Sequence, residues 1–337
     1  MATPSISVRW TKLVAASRLC RSSHILSANA SRVLIFGGEL LPRQPVDSNV
    51  DQIDVDADFK GKVKTLPAPD NAPSARVGSA SATVDGSIWL FSGRGGLAMD
   101  AIEENGSMWR YDGTSSTWQQ ISAKSATYPV SRSYHAMAFD GEKTIYLHAG
   151  CPTQGRLSDL WAFNTETLVW TELPSAPGPA RGGTSIAFCE GKLYRMGGFD
   201  GKSEQGGEVN IYDTASQEWH TTAFTADGVQ GPEARSVATL LAVQLPGNES
   251  ALVTMFGERD PSSLGHAGAG KMLSDAWVFN IKSSAWSKAS FSGESPAARG
   301  WFAADVLKQQ EGDAVIVHGG LAEDNTRLGD AWRLDFL

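Results

Sequence analysis

The stretch Met255–Asn280, MFGERDPSSLGHAGAGKMLSDAWVFN, carries Glu258, Asp260 and His266 on a segment rich in glycine: Gly257, Gly265, Gly268 and Gly270. Two carboxylates and an imidazole are hard-to-borderline ligands suited to Fe(II), Mn(II) or Zn(II). A set with one histidine leaves coordination positions open to a substrate oxygen or sulfur. The glycines let the loop fold back so that residues eight apart can converge. A polar surface loop with His266 in a simple hydrogen bond is the plainer alternative. Arg94 in FSGRGG and Arg156 in CPTQGRLSD each follow a glycine turn. Their planar forks of donors suit an anionic group such as sulfate or carboxylate, against the ordinary role of a solvated or ion-paired arginine. Trp301, in ARGWFAAD, is balanced between a ligand wall and packing.

The bulk of the chain narrows what such a set could serve. In 337 residues the net charge is -8 and the acidic residues are scattered. A nucleic-acid surface needs concentrated Lys and Arg, so no nucleic-acid partner is expected. No apolar run approaches the roughly 18 residues of a membrane span, and MATPSISVRWTKL lacks a basic region followed by an apolar block. Cys20, Cys151 and Cys189 form an odd set without CxxC spacing, the pattern of reduced thiols in a cytoplasmic protein. With no leader of that kind, the glycosylation triplets at Asn29, Asn105 and Asn248 are chance matches. No nucleophile elbow GxSxG, no HExxH and no phosphate loop occurs.

The elements that must position these residues are repeated. An apolar strand closes in a glycine turn at Gly38, Gly93, Gly150, Gly198, Gly257 and Gly320, spaced 48 to 63 residues apart. After most of these turns comes an aromatic strand, a short turn and a tryptophan, as in MWRYDGTSSTW and LWAFNTETLVW. Ahead of each turn an arginine opens a strand: Arg21, Arg76, Arg132, Arg181, Arg235 and Arg299. This is the pattern of kelch repeats, whose period is about 50 residues. Each unit is a four-stranded blade that buries its faces only by stacking on its neighbours. The expectation is an all-β, six-bladed kelch β-propeller occupying residues 1–337 as one domain. The last repeat stops at AWRLDFL, and SVRWTKL near the start resembles the outer-strand segments TWQQI and VWTEL. The N-terminal strand is therefore expected to close the last blade.

Residues that recur in register are most simply scaffold, and those left over are candidates for function. Trp10, Trp118, Trp170, Trp219 and Trp286 hold the outer-strand position; Trp109, Trp161, Trp277 and Trp332 hold the preceding aromatic one. Trp89 fits the core, which leaves Trp301. The opening arginines are expected to hydrogen-bond carbonyls between blades. Among the six histidines only His266 has neither a counterpart in another repeat nor a place beside a recurring tryptophan.

Taken together, FGERDPSSLGHAGAG, SGR at Arg94, Arg156, RGW at Trp301 and VHGGLAEDN resemble the kelch specifier proteins of plants: nitrile-specifier, epithiospecifier and thiocyanate-forming proteins. The resemblance runs through all six repeats. It implies ferrous iron held by a Glu-x3-Asp-x3-His set, in which Glu258 and His266 match the first and last ligands. The middle position is Ser262, and the nearest carboxylate, Asp260, stands two residues earlier. That departure leaves open whether Asp260 swings in, water completes the site, or iron is not held.

The same resemblance implies a non-redox lyase or isomerase acting on glucosinolate aglycones, small anionic thiohydroximate-O-sulfates. Iron would take the sulfur, Arg94 and Arg156 the departing sulfate, and Trp301 the side chain. The product would be a nitrile rather than an isothiocyanate, and an upstream glucosinolate hydrolase would supply the substrate. Two other readings stay open: a kelch protein-interaction module without catalytic activity, and a metal-dependent non-redox enzyme of another pathway.

Overall fold

The computed structural model describes residues 5–29, 32–55, 60–265 and 268–337. The long strands fall into four-stranded antiparallel sets that follow the repeat. In the second set, Ala80–Val84, Ser87–Phe91, Met108–Asp112 and Thr117–Ile121 pair in that order. The third set runs from Ala136–Phe139 to Val169–Leu173, the fourth from Ser185–Cys189 to Glu218–Ala223, and the fifth from Thr239–Leu245 to Ala285–Ser290. The first spans Ser22–Asn29 to Gly61–Leu66. In the sixth, Ala303–Leu307, Ala314–His318 and Asp330–Phe336 are followed by Ile6–Ala15, which pairs antiparallel with Asp330–Phe336 from Val8↔Phe336 to Ala15↔Asp330.

Burial explains why these segments become strands. Ala314–His318 (AVIVH) and Ser87–Phe91 (SIWLF) are buried at every position, because both faces of a second strand are covered. The outer strand Thr117–Ile121 buries Trp118 and turns its neighbours outward, the alternation of an exposed edge. The apolar clusters lie between consecutive sets. One joins Ile25 and Phe36 to Leu90 and Trp118. Another joins Phe91 to Leu147 and Trp170, and a third joins Leu13 and Leu26 to Ile316. The sixth set thus packs on the first as the second packs on the third.

Backbone hydrogen bonds repeat this cyclic order. Each turn glycine donates its N–H to the carbonyl of the next set's opening arginine: Gly38 to Arg76, Gly93 to Arg132, and so on to Gly320 to Arg21 at 2.9 Å. All six glycines have φ between +87° and +112°, a region closed to most side chains. At Gly257 a Cβ would also lie 2.7 Å from the Cβ of Ala238. A second cycle lies two residues beyond the arginines. Ser23, Gly78, Tyr134, Gly183, Val237 and Trp301 each donate to the preceding member's carbonyl at 2.7–3.1 Å, and Ser23 donates to Trp301.

The opening arginines differ in part from expectation. Their side chains reach carbonyls of their own set, as Arg132 Nη1 does to Ala149 O at 3.0 Å; it is their backbone carbonyls that cross between sets. Most also hold a carboxylate. Arg132 pairs with Asp159, Arg235 with Asp275, Arg299 with Asp330, Arg76 with Glu104 and Arg21 with Asp51.

Candidate functional site

The residue following each turn glycine bridges to the residue following the opening arginine. The series is Ser22↔Glu39, Val77↔Arg94, Ser133↔Cys151, Gly182↔Phe199, Ser236↔Glu258 and Gly300↔Leu321. Glu39, Arg94, Cys151, Phe199, Glu258 and Leu321 therefore hold one register position around the same end of the fold. The sheet pairing brings Arg94 and Glu258 to this common rim, although 164 positions of chain separate them.

Glu258 starts the short strand Glu258–Arg259, which pairs with Lys271–Met272. The intervening loop leaves and returns over Glu258, whose Oε1 accepts the N–H of Gly270 at 2.6 Å. The side chain is 5 % exposed, and among the described residues it has no cationic partner. Burial first, and then the charge of Glu204, raise its pKa to about 7, while the Gly270 hydrogen bond opposes them. Asp260 points the other way. It is in the left-handed region at φ +51°, its side chain is 65 % exposed, and Lys271 Nζ lies 3.9 Å from its carboxylate. The Ser262 hydroxyl accepts the N–H of Leu264 and sits where a Cβ on Gly268 would stand 2.3 Å away. His266 lies outside the described residues. Among the described residues no three His, Cys, Asp or Glu side chains converge closely enough to hold a metal ion.

The two arginines differ in their commitments. Arg94 gives Nε to Ser133 Oγ at 2.6 Å, Nη1 to Met99 O, and Nη2 to the carbonyls of Cys151 and Pro152. Its donors are largely used in joining the second set to the third. Arg156 stands 5.0 Å over the ring of Phe199, a cation–π contact that holds the guanidinium without using its in-plane donors. Its Nε is buried and makes no hydrogen bond among the described residues. Gly201, at φ +105°, makes room for it: a Cβ there would fall 2.7 Å from Nη1. Both charges reach the Cys151 thiol, lowering a pKa that burial pushes up.

Trp301 belongs to the second cycle of hydrogen bonds and is held at φ +52°. Two of its counterparts are glycine. A bulky residue in this conformation costs on the order of 1–2 kcal/mol, which the cycle must hold. Its indole is partly exposed beside the Gly300–Leu321 bridge.

One residue absent from the sequence reading belongs with this group. Glu204 bridges to Phe199 in the turn GGFDGKSEQGG of the fourth set. Its Oε1 is buried without a hydrogen-bond partner among the described residues. Burial raises its pKa, and the charges of Asp260 and Asp200 raise it further. Its lone sequence signal is a carboxylate six residues past the turn glycine Gly198, where the other repeats carry Gln44, Met99, Arg156, Ser263 and Thr326.

A cavity of about 1020 Å³ is elsewhere. It follows the first strands of the sets, from His24 and His135 to Asp85, Asp140 and Glu190, and none of Arg94, Arg156, Glu258, Asp260 or Trp301 lines it. Its walls are mainly alanine, serine and aliphatic side chains, together with these histidines and acids, Asp305 and Lys308.

This fold, built on repeated glycine turns and opening arginines, defines a kelch-repeat protein. The family described as the KLHDC2/KLHL20/DRC7 Kelch-repeats domain matches residues 23–257, and the chain belongs to it. It is 25% identical over 341 residues to N-(sulfonatooxy)prop-2-enimidothioate sulfolyase of Thlaspi arvense, covering 93% of this chain and 91% of that protein. It is 28% identical to Adagio-like protein 1 of Oryza sativa subsp. japonica over 74% of this chain, but spans only 41% of that longer protein. Among solved structures, YjhT superposes with a TM-score of 0.71 at 15% identity, covering 95% of both chains; that likeness bears on the fold alone. No helix among the described residues is long and apolar enough to cross a membrane.

Proposed function

We propose that this chain is a specifier-like, Fe(II)-dependent non-redox lyase acting on N-(sulfonatooxy)imidothioates, the aglycones released from glucosinolates, and giving nitriles. Its scaffold is taken as one domain, a six-bladed propeller closed by the N-terminal strand Ile6–Ala15. Support for the reaction class comes from the full-length similarity to a protein named as a sulfolyase of such a compound. The observation that carries the assignment is Glu258: a carboxylate 5 % exposed, at the rim, with no cation beside it among the described residues. A buried carboxylate without a cationic partner takes up either a proton or a cation.

The donor set fits a divalent metal in kind, with the oxygen of Glu258 and the imidazole that His266 brings in the same loop. Asp260 is the in-loop candidate for a third ligand, though its side chain faces solvent beside Lys271. A bound Fe(II) would supply Lewis-acid polarisation of the substrate's sulfur. Arg156 is suited to the sulfate because its charge is fixed over Phe199 and no hydrogen bond holds its donors among the described residues. Arg94, held by protein acceptors, adds positive charge rather than a second free fork. These charges favour the anion that builds as the N–O bond breaks. Trp301 would wall the substrate's side chain. In the balanced reaction the C–S bonding pair of the dianion becomes the third C–N bond of the nitrile, the N–O pair leaves on sulfate with both charges, and sulfur departs at the elemental level, oxidised at the expense of the N–O bond.

The test is product analysis by gas chromatography. A glucosinolate is hydrolysed by a thioglucosidase with Fe(II), with and without this protein. Nitrile in place of isothiocyanate, lost with Arg156→Ala, is the expected result. An unchanged isothiocyanate yield across aglycones with different side chains would overturn the substrate assignment.

A further inference from the structure

Five of the six opening arginines grip a carboxylate, and the sixth, Arg181 of the fourth set, does not. Arg21 holds Asp51, Arg76 Glu104, Arg132 Asp159, Arg235 Asp275 and Arg299 Asp330. Arg181 is more than nine-tenths buried. Its Nε donates to Pro179 O and its Nη1 to Gly197 O, both at 3.1 Å, and its Nη2 makes no hydrogen bond among the described residues. Arg132 gives that same Nη2 to Asp159 at 2.8 Å. The register supplies a counterpart of Asp159. Trp161 pairs with Leu147, three residues before Gly150, and Asn210 pairs with Arg195, three before Gly198. Two residues ahead of Trp161 stands Asp159, and two ahead of Asn210 stands Glu208. Glu208 is exposed, with its Oε2 3.5 Å from Asn210 Nδ2 and no ion pair to Arg181.

The same register brings a second guanidinium. Where the third set buries the apolar pair Leu147 and Trp161, the fourth buries Arg195 and Asn210. Arg195 gives Nε and Nη2 to Asn210 Oδ1 at 3.1 and 2.8 Å and Nη2 also to Pro177 O at 2.7 Å, and it too has no carboxylate partner among the described residues. Gly178 marks where the two arginines meet: a Cβ there would lie 3.2 Å from Arg181 Nη2 and 3.9 Å from Arg195 Nη2. Gly178 is exposed, at φ +75°, between the two prolines whose carbonyls the arginines hold. Two buried guanidiniums side by side repel each other, and each is costly without a counter-charge; burial, and then the charge of Arg181, lower the pKa of Arg195. We propose that the fourth set binds a small inorganic oxoanion, sulfate or phosphate, at Gly178, held by Nη2 of Arg181 and the charge of Arg195 in the place that a carboxylate takes beside the other five opening arginines. A doubly charged tetrahedral anion matches two guanidiniums in charge and offers an oxygen to each. The site is independent of Glu258 and of any metal there.

The test is isothermal titration calorimetry of the full-length protein with sodium sulfate and, separately, sodium phosphate in a chloride buffer of constant ionic strength. Thermal midpoints check the folding of each variant. The expected result is saturable binding of about one oxoanion per chain by wild type, weakened about tenfold or more by Gly178→Ala. That substitution lies in an exposed loop and puts a methyl group against Arg181 Nη2. The double variant Arg195→Leu/Asn210→Trp, which copies the third set's pair, is expected to weaken binding as much. Arg156→Ala and Glu208→Gln are expected to stay within about threefold of wild type. The tighter-bound of the two anions identifies the preferred ligand. Binding kept with Gly178→Ala but lost with Arg156→Ala places the anion at the rim and overturns the proposal. No saturable binding by wild type, with a thermal midpoint lowered by Glu208→Gln, means that Glu208 itself serves Arg181 and overturns it as well.

Discussion

The N–H of Gly270 donates to Glu258 Oε1 at 2.6 Å, so the returning limb of the loop fixes the carboxylate of the outgoing limb. Glycine is required there: a Cβ would lie 2.4 Å from the Asp260 carbonyl oxygen and 2.7 Å from Glu258 Oε1. Gly270→Ala is therefore expected to displace the loop. Because the scaffold beneath is held by its own cycles of hydrogen bonds, global stability should fall by only about 1 kcal/mol, while divalent-metal affinity falls at least tenfold. Titration calorimetry alongside urea denaturation checks this. Unchanged affinity would mean that the loop does not hold Glu258 for a metal.

The pKa of Glu258, raised by burial to about 7 from 4.5, sets a pH dependence with a definite sign. Below 4.5 the folded and unfolded chains are both protonated at this site. Between 4.5 and 7 the folded protein keeps a proton that the unfolded chain has released, so stability falls as pH rises through that window and levels off above it. The loss is on the order of 3 kcal/mol. Metal-free Glu258→Gln should lack this loss and be the more stable protein at pH 8, with the two alike near pH 4.5. Thermal unfolding with a chelator at several pH values measures it. A Glu258→Gln protein less stable than wild type at pH 8 would contradict it.

Trp301 separates backbone cost from side-chain use. At φ +52° a glycine is more comfortable than an indole, so Trp301→Gly should keep the urea midpoint within about 1 kcal/mol of wild type. The substrate KM should rise about tenfold with a smaller change in kcat. A stability loss above about 2 kcal/mol with KM unchanged would make the indole simple packing.

The pairing of Arg132 with Asp159 tests what holds the sets together. Asp159 accepts both guanidinium nitrogens at 2.6 and 2.8 Å and the Trp161 indole N–H at 2.9 Å. Asp159→Ala leaves a fully buried guanidinium unpaired, at a cost of about 3–5 kcal/mol. Guanidinium chloride denaturation should show that loss. Less than about 1 kcal/mol would mean that the carbonyls of Ala149 and Val130 satisfy Arg132 alone.

The repeat was legible because it is written in residue types with few physical alternatives. Glycine marks φ near +100°, and each recurring arginine needs acceptors wherever it is buried. The carboxylate partners had a signal too: Asp159, Asp275 and Asp330 each stand two residues before a tryptophan, and each accepts that indole N–H. The tryptophans are scaffold, and the acids that bind them recur with them. Glu258 was found because its loop breaks the repeat. Glu204 was not, because nothing in its own turn sets it apart from the other acids of the chain. Arg94 and Arg156 look alike in sequence, each an arginine after a glycine. Only the acceptors around Arg94, and the Phe199 ring under Arg156, distinguish a committed fork from an open one.

The most direct test of a metal centre at Glu258 is iron content. Wild-type protein and Glu258→Ala are equilibrated anaerobically with Fe(II), dialysed, and assayed by inductively coupled plasma mass spectrometry. The account predicts about one iron per chain in wild type and a small fraction of that in the variant, with both proteins folded. Equal iron in the two, or none in wild type, would contradict it.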